Sequence, residues 1–362
     1  MPLNIAILNW RDRTHSDSGG AELYIHEIAK GLVRAGNTVS LICGQDNSQP
    51  KHEVIRGIEI WRKGNKVSVY FWTWLKFISL SRKRRIDLVI ESVNGVPYLS
   101  PLYAERTVCL VHHVHRDFFK KFYRRPFSRL LIFLESFLFS PIYRRAKFVA
   151  VSESTRQDLL KGGIKTAKIS VITAGADHGP FRPGKKNPLP LVAYIGRLSK
   201  VKSVDVLITA FAAVRKGERK AELVIAGEGK ERKYLERLAR RSKIEAVHFT
   251  GRLSEKEKIS LMQRAWLIVQ PSFAEGWSIT VTEANACGTP TVAANSPGLR
   301  DSVRHSLTGI LVRYGDARAF ERAIKVIISC PHLRARQSLN AISYSKQLKW
   351  ELTCQKLISQ LN

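Results

Sequence analysis

The chain has 362 residues, of which 44% are hydrophobic, and its 60 Lys and Arg against 30 Asp and Glu give a formal net charge of +30. This composition excludes a disordered chain and a small disulfide scaffold, and the length predicts two domains. So large a positive charge favours polyanionic partners, namely nucleic acid, anionic lipid headgroups or phosphorylated ligands.

Strand-like apolar runs alternate with helical spacing in the first half. The N-terminal stretch MPLNIAILNW is predicted to be a buried strand rather than a signal peptide, and a helix follows at 21–36. Further strands are predicted at 38–44, 86–92, 107–113 and 146–152. Continuous Val, Ile and Leu runs separated by helices are typical of a parallel sheet covered on both faces.

Glycine, proline and lysine crowd together at 168–190, which predicts a hinge between domains. The alternation then restarts, with strands predicted at 191–196, 221–227, 247–251, 266–270 and 289–294. Helices are predicted between them at 205–216, 230–242 and 255–265. The predicted fold is α/β, with two doubly wound Rossmann-like domains and a cleft between them. We predict residues 1–180 with the terminal helix 343–362 as the first domain, and residues 188–342 as the second.

Five scattered cysteines form no CxxC pair, which predicts buried reduced thiols in a cytoplasmic protein. No run reaches ~18 consecutive apolar residues, so we expect no membrane-spanning helix.

Two loops after predicted strands could hold an anion. Gly19 and Gly20 open a helix, where backbone N–H groups can approach a phosphate, although a flexible loop explains them equally well. Arg197 follows a strand directly after Gly196, and Lys202 precedes the next helix. This pair could clamp a diphosphate, or it could be a solvated cluster in a basic chain.

Three histidines, His112, His113 and His115, follow another predicted strand. They could meet a ligand, whereas a zinc site is disfavoured because no matching carboxylate or cysteine lies nearby.

Two glutamates, Glu275 and Glu283, flank a predicted helix start in the stretch AEGWSITVTEANACG. Carboxylates accept paired hydrogen bonds from hydroxyl groups, which favours a polyhydroxylated ligand. As the alternative, Thr280 to Glu283 fits a capping box.

The chain resembles glycosyltransferase family 4 in its combination of motifs. These motifs are GGAE, IGRL followed by Lys202, IAGEG, FTG and the E-x₇-E from Glu275 to Glu283. The resemblance covers essentially the whole chain, and Trp350 marks the helix that in this family crosses back to the first domain. It implies the GT-B fold and a retaining, metal-independent transfer of a hexose-type sugar from a nucleotide-sugar donor.

The resemblance also implies residue roles. Glu275 would bind hydroxyls of the transferred sugar, beside the backbone amides of Gly276, Trp277 and Ser278. Glu283 would bind the ribose of the nucleotide.

Further residues would act on the phosphates and the reacting centre. Arg197 and Lys202 would grip the diphosphate and stabilise charge on the leaving group, and Gly19 and Gly20 would contact the same phosphates. His112 would lie near the reacting centre, with His113 as the alternative assignment.

The chain departs from the common family pattern in two places. Trp277 and Ser278 stand in E-G-W-S-I-T where E-G-F-G-L-P is frequent, and Ser203 stands where a glycine commonly follows the lysine. These changes leave the class intact but do not indicate which sugar is transferred, and the expected donor is a UDP- or GDP-sugar. A GT-B epimerase or phosphorylase is an alternative activity.

Two basic, aromatic segments of the first domain, 61–85 and 116–145, suit helices lying on an anionic membrane surface. We therefore expect a peripheral enzyme on the inner face of the cell membrane that acts on a lipid-linked glycan or glycolipid. Core helices with solvated basic faces are the alternative. A nucleic-acid binder is a competing class, but no specific nucleic-acid motif is present.

Overall fold

The computed structural model describes residues 2–46 and 49–361. The chain divides into two compact units, Met1–Ala174 with Trp350–Asn362, and Gly175–Lys349. Sequence analysis placed the first division near residues 180–188. The difference arises because Ala176 and Phe181 are buried in a hydrophobic cluster of the second unit.

The first unit is built on one eight-stranded sheet in the order β3-β4-β2-β1-β5-β6-β7-β8. The strands are β1 (Asn4–Leu8), β2 (Thr38–Cys43), β3 (His52–Ile55), β4 (Ile58–Arg62), β5 (Leu88–Asn94), β6 (Thr107–His113), β7 (Lys147–Ala150) and β8 (Ile169–Val171). All neighbours are parallel except the β3–β4 hairpin. The helices are α1 (Gly20–Arg34), α2 (Val69–Ser81), α3 (Arg116–Phe122), α4 (Phe127–Ser136) and α5 (Glu153–Lys161).

The second unit carries a six-stranded parallel sheet in the order β11-β10-β9-β12-β13-β14. The strands are β9 (Leu191–Ile195), β10 (Glu222–Ala226), β11 (Val247–Gly251), β12 (Leu267–Gln270), β13 (Thr291–Ala294) and β14 (Gly309–Val312). The helices are α6 (Val204–Gly217), α7 (Arg232–Arg241), α8 (Glu255–Arg264), α9 (Ile279–Ala286), α10 (Leu299–Ser302), α11 (Ala317–Ser329) and α12 (Pro331–Ser345).

Strand β9 shows why these runs are apolar throughout. Val192 and Tyr194 belong to one buried cluster, whereas Leu191, Ala193 and Ile195 belong to another. Because successive side chains of a strand point to opposite faces, both faces of the second sheet are covered.

The expected terminal helix 343–362 is wrong in its extent. The expected range contains the end of α12, which stops at Ser345, and a separate helix α13 (Trp350–Leu361). Only α13 belongs to the first unit, where it packs on α1. Gly31 of α1 allows this packing, because a Cβ there would lie 2.4 Å from Cys354 Sγ.

The basic segment 61–85 does not form one surface helix. Trp61 and Arg62 end β4, and Arg62 is buried with its Nη2 atom 2.7 Å from Asp12 Oδ2. The helical part is α2, which exposes Phe71 and Trp74. Segment 116–145 contains α3, α4 and two short 3₁₀ turns. No helix in the described ranges is both long and apolar enough to cross a bilayer.

Candidate active site

The second sheet reverses its strand order between β9 and β12, which lie side by side. In open α/β sheets, ligands bind beyond the carboxyl ends of the strands at such a reversal. Gly196 and Arg197 follow β9 directly, and Glu275 follows β12. These three predicted donor residues therefore lie on loops at the edge where a ligand is expected.

Lys202 and Glu275 are in direct contact, with Lys202 Nζ 2.5 Å from Glu275 Oε1. Their loops are joined by a backbone hydrogen bond, in which Phe273 N–H donates to the Val201 carbonyl at 2.8 Å. The ammonium group and the carboxylate thus offset each other's charge. A donor that binds here would meet a lysine able to contact phosphate and a carboxylate able to accept sugar hydroxyls.

A second loop holds Glu275 from the other side. Its N–H donates to the Pro297 carbonyl at 3.0 Å, and Gly298 follows with a φ of +74°. A Cβ at Gly298 would lie 2.2 Å from the Glu275 carbonyl oxygen, so only glycine allows this approach. Sequence analysis missed residues 297–298, although Pro-Gly directly before a helix was a visible turn signal.

Arg197 is exposed at the tip of the loop after β9. The hydroxyl of the buried Tyr194 donates to the Arg197 carbonyl at 2.9 Å. Gly227 of the neighbouring loop fits against this turn, because a Cβ there would lie 1.9 Å from the Gly196 carbonyl oxygen. The IAGEG stretch therefore has a physical role, which is to let the loops after β9 and β10 touch.

Glu283 does not form the capping box considered as an alternative. Helix α9 begins at Ile279 with Ser278 as its N-cap, so Thr280 lies inside the helix. Glu283 is buried, and its Oε1 atom accepts a hydrogen bond from Lys258 Nζ at 2.7 Å. Sequence analysis missed Lys258, which reaches Glu283 from α8 and sets the charge around it.

The predicted sugar-binding amides belong to Gly276, Trp277 and Ser278, directly before α9. Trp277 is held by its indole N–H, which donates to Thr282 Oγ1 at 2.8 Å. This bond turns the indole toward the helix.

His112, in the first unit, is 7% exposed, and its Nε2 lies 3.1 Å from Ser92 Oγ. The ring meets Tyr24 edge to face at 5.7 Å. Burial lowers the pKa of His112 to about 3, so the ring is neutral at pH 7. Burial also lowers the pKa of His113 to about 4.

Gly19 and Gly20 are exposed at the start of α1. The Gly19 N–H already donates to Glu22 Oε2 at 2.7 Å, and the same carboxylate accepts from Arg11 Nε at 3.1 Å. An anion at this helix start would therefore compete with Glu22 for the Gly19 amide.

In the part of the chain that the structure describes, no group of three or more His, Cys, Asp or Glu side chains is arranged to hold a metal ion.

Two family models together match residues 18–344. The model for Glycosyltransferase Family 4 matches residues 18–179, and the model for Glycosyl transferases group 1 matches residues 178–344.

Among relatives, D-inositol 3-phosphate glycosyltransferase 2 of Catenulispora acidiphila is 30% identical over 57% of this chain and 53% of its own length. The glycogen synthase of Mycobacterium tuberculosis is 26% identical over 88% of this chain and 85% of its own length. The chain thus spans about half the length of the first relative and most of the second.

Solved structures show the same fold. Sucrose-phosphate synthase from Thermosynechococcus elongatus superimposes with a TM-score of 0.84 at 21% identity, covering 99% of this chain and 98% of that one. Anabaena HepE in complex with UDP gives a TM-score of 0.77 at 21% identity over 99% of both chains. The predicted fold class is confirmed, and the chain is a GT-B glycosyltransferase that joins a Glycosyltransferase Family 4 domain to a Glycosyl transferases group 1 domain.

Proposed function

We propose that this enzyme transfers a hexose-type sugar, with retention of configuration, from a UDP- or GDP-linked donor to a lipid-linked glycan or glycolipid. The observation that carries the proposal is the Lys202–Glu275 contact beside the strand reversal of the second sheet. It supports the proposal because a side chain suited to bind a diphosphate and one suited to accept hydrogen bonds from sugar hydroxyls lie next to each other.

In this transfer, the bond from the sugar's anomeric carbon to the phosphate oxygen breaks, and a bond to the acceptor oxygen forms. The acceptor's proton passes to the departing diphosphate. Negative charge develops on that leaving group, where Lys202 and Arg197 stabilise it without a metal ion. His112 contributes a neutral imidazole, because its pKa of about 3 leaves it uncharged.

UDP-glucose is the first donor to test, since Anabaena HepE, which shares the fold, has been crystallised with UDP-glucose. A screen of UDP- and GDP-sugars, with and without EDTA, should give nucleoside diphosphate release that needs the acceptor and survives EDTA. NMR of the product should show the donor's anomeric configuration. Inverted product, or loss of turnover in EDTA, would contradict the corresponding part of the proposal.

The same screen separates the alternative activities. Epimerised donor formed without acceptor would identify an epimerase, and sugar phosphate formed with inorganic phosphate would identify a phosphorylase.

The membrane part of the proposal rests on α4. Phe127, Leu130 and Phe133 lie three residues apart and are each at least half exposed, so they form one apolar face. Arg124 and Arg125 stand exposed just before this helix. Apolar side chains bordered by cations are typical of a helix that binds an anionic lipid surface.

Vesicle co-sedimentation tests this surface. The double variant Arg124→Ala/Arg125→Ala should lose most binding to phosphatidylglycerol vesicles. The control Arg240→Ala/Arg241→Ala removes an exposed pair of equal charge from α7 and should bind like the wild type. Equal losses in both variants would indicate attraction by net charge alone and would contradict a dedicated surface.

A further inference from the structure

Glu135 joins α4 to the turn that follows His112. It is 1% exposed and lies on the buried side of α4. Its Oε1 atom accepts a hydrogen bond from His115 N–H at 2.5 Å, and His115 is the N-cap of α3. Its Oε2 atom is buried and has no hydrogen-bond partner within the described residues.

Aromatic rings form a second connection between the same two places. His115 stacks on Phe119 with ring centres 5.5 Å apart, Phe119 meets Tyr123 at 6.0 Å, and Tyr123 meets Phe127 at 5.5 Å. The series runs from the turn after β6 to Phe127, which is the first residue of the exposed apolar face of α4.

The two connections leave α4 with contrasting sides. One side presents Phe127, Leu130 and Phe133 to solvent, and the other carries Glu135 into the interior. Because protein interiors are close-packed and transmit strain, a displacement of α4 must act on the His115 amide through Glu135.

We propose that Glu135 is a positioning residue that couples the docking of α4 on an anionic lipid surface to the backbone geometry of the turn after His112. The effect of this coupling on sugar transfer rests on the transferase function proposed above. The enzyme would then be fully arranged only when it is seated on the surface that holds its acceptor.

The charge of Glu135 sets the strength of this link. The groups facing the carboxyl are His115 of the turn, Arg116 of α3 and Asp158 of α5. Burial raises the pKa of Glu135 to about 7, although the His115 hydrogen bond and the Arg116 charge lower it. Burial also lowers the pKa of His115 to about 3, so this ring supplies no compensating charge. Above pH 7 the ionised carboxylate holds the His115 amide more firmly.

Hydrogen–deuterium exchange of the full chain tests the coupling. With phosphatidylglycerol vesicles at pH 8, the His115 amide of the wild type should exchange about tenfold more slowly, whereas phosphatidylcholine vesicles should have no effect. Glu135→Ala should exchange faster at rest and should not respond to vesicles. Glu135→Gln keeps an acceptor oxygen, so vesicles should still slow the exchange of its His115 amide. This slowing should not depend on pH, because the amide side chain does not ionise.

Co-sedimentation and donor turnover on the same samples distinguish a failure of the coupling from a failure of membrane docking or of sugar transfer. Wild-type protein that binds vesicles with unchanged His115 exchange would overturn the coupling and leave the proposed transferase intact. An unbound wild type would overturn both the docking and the coupling, and the donor screen would still report the transfer.

A kinetic comparison excludes a merely structural role. Glu135→Ala should lower kcat on vesicles with an unchanged KM for the donor, and Glu135→Gln should recover it. If kcat and KM change together in both variants, Glu135 is not a positioning residue.

Discussion

Lys202 Nζ lies 2.5 Å from Glu275 Oε1, although 73 residues separate the two in the chain. Each group offsets the charge of the other. In the transfer proposed above, the lysine would contact phosphate and the carboxylate would accept hydrogen bonds from sugar hydroxyls. Removal of either partner leaves the other with a charge that the site no longer balances.

We expect Lys202→Ala to lower kcat by about 100-fold or more, because a fixed cation at a developing negative charge is worth this much. Glu275→Ala should abolish transfer in the same assay. The control Lys200→Ala removes an exposed lysine two residues away and should keep wild-type turnover. Near-normal activity in a folded Lys202→Ala protein would contradict the assignment.

Lys258→Ala should lower the free energy of unfolding by about 2 kcal/mol, because it removes the ion pair of the buried Glu283. It should also weaken nucleoside diphosphate binding, measured by titration calorimetry. Lys256→Ala, an exposed change on the same helix, should alter neither quantity. Unchanged nucleotide affinity in Lys258→Ala would show that the Lys258–Glu283 pair is not part of the donor site.

Ser203→Gly should stabilise the protein by about 1 kcal/mol, since Ser203 has a left-handed φ of +48° that glycine adopts without strain. The Ser203 hydroxyl also lies 3.1 Å from the Tyr314 hydroxyl. Ser203→Ala keeps the strain and loses that contact, so it should destabilise. Urea unfolding measures both variants, and a destabilised Ser203→Gly would show that the hydroxyl contact outweighs the strain.

Gly31→Ala should cost about 1–3 kcal/mol, because its Cβ would overlap Cys354 and push α13 away from α1. Gly217→Ala is the matched control, since a Cβ there meets nothing closer than Lys325 at 3.8 Å. Thermal unfolding should separate the two variants by several degrees. Equal midpoints of thermal unfolding would mean that α13 can move away from α1 without a loss of stability.

Glu135→Gln should change how stability depends on pH. The folded pKa of about 7 exceeds the ordinary value of 4.5, so folded wild type binds an extra proton between these values. Its stability therefore falls as the pH rises from about 4.5 to about 7 and is level above that. Glu135→Gln should lose this slope and be more stable than wild type at pH 8, by up to about 3 kcal/mol. Glu153→Gln, on the exposed side of α5, should keep the slope.

Much of the fold follows from the sequence because buried parallel strands need continuous apolar runs, as in 191–195 and 267–270. The β3–β4 hairpin was missed for a physical reason. Its turn is formed by Arg56 and Gly57, both with positive φ, and arginine gives no turn signal at such a position.

The site was only partly predictable. Glu275 and Lys202 stand in recognisable motifs, but the pairing of Lys258 with Glu283 depends on how α8 and α9 pack, which no local pattern reports. For Arg62, the local pattern predicted the wrong environment. An arginine beside aromatic residues suggests a membrane surface, yet its ion pair with Asp12 buries it in the first unit.

Helix α13 has a consequence for how the protein is made. The ribosome synthesises the sheet and α1 of the first unit early, and then all of residues 175–349, before α13 emerges to cover α1. During that interval the second unit can fold from contiguous chain, whereas the surface around Gly31 stays uncovered. The unit that is begun first is thus completed last.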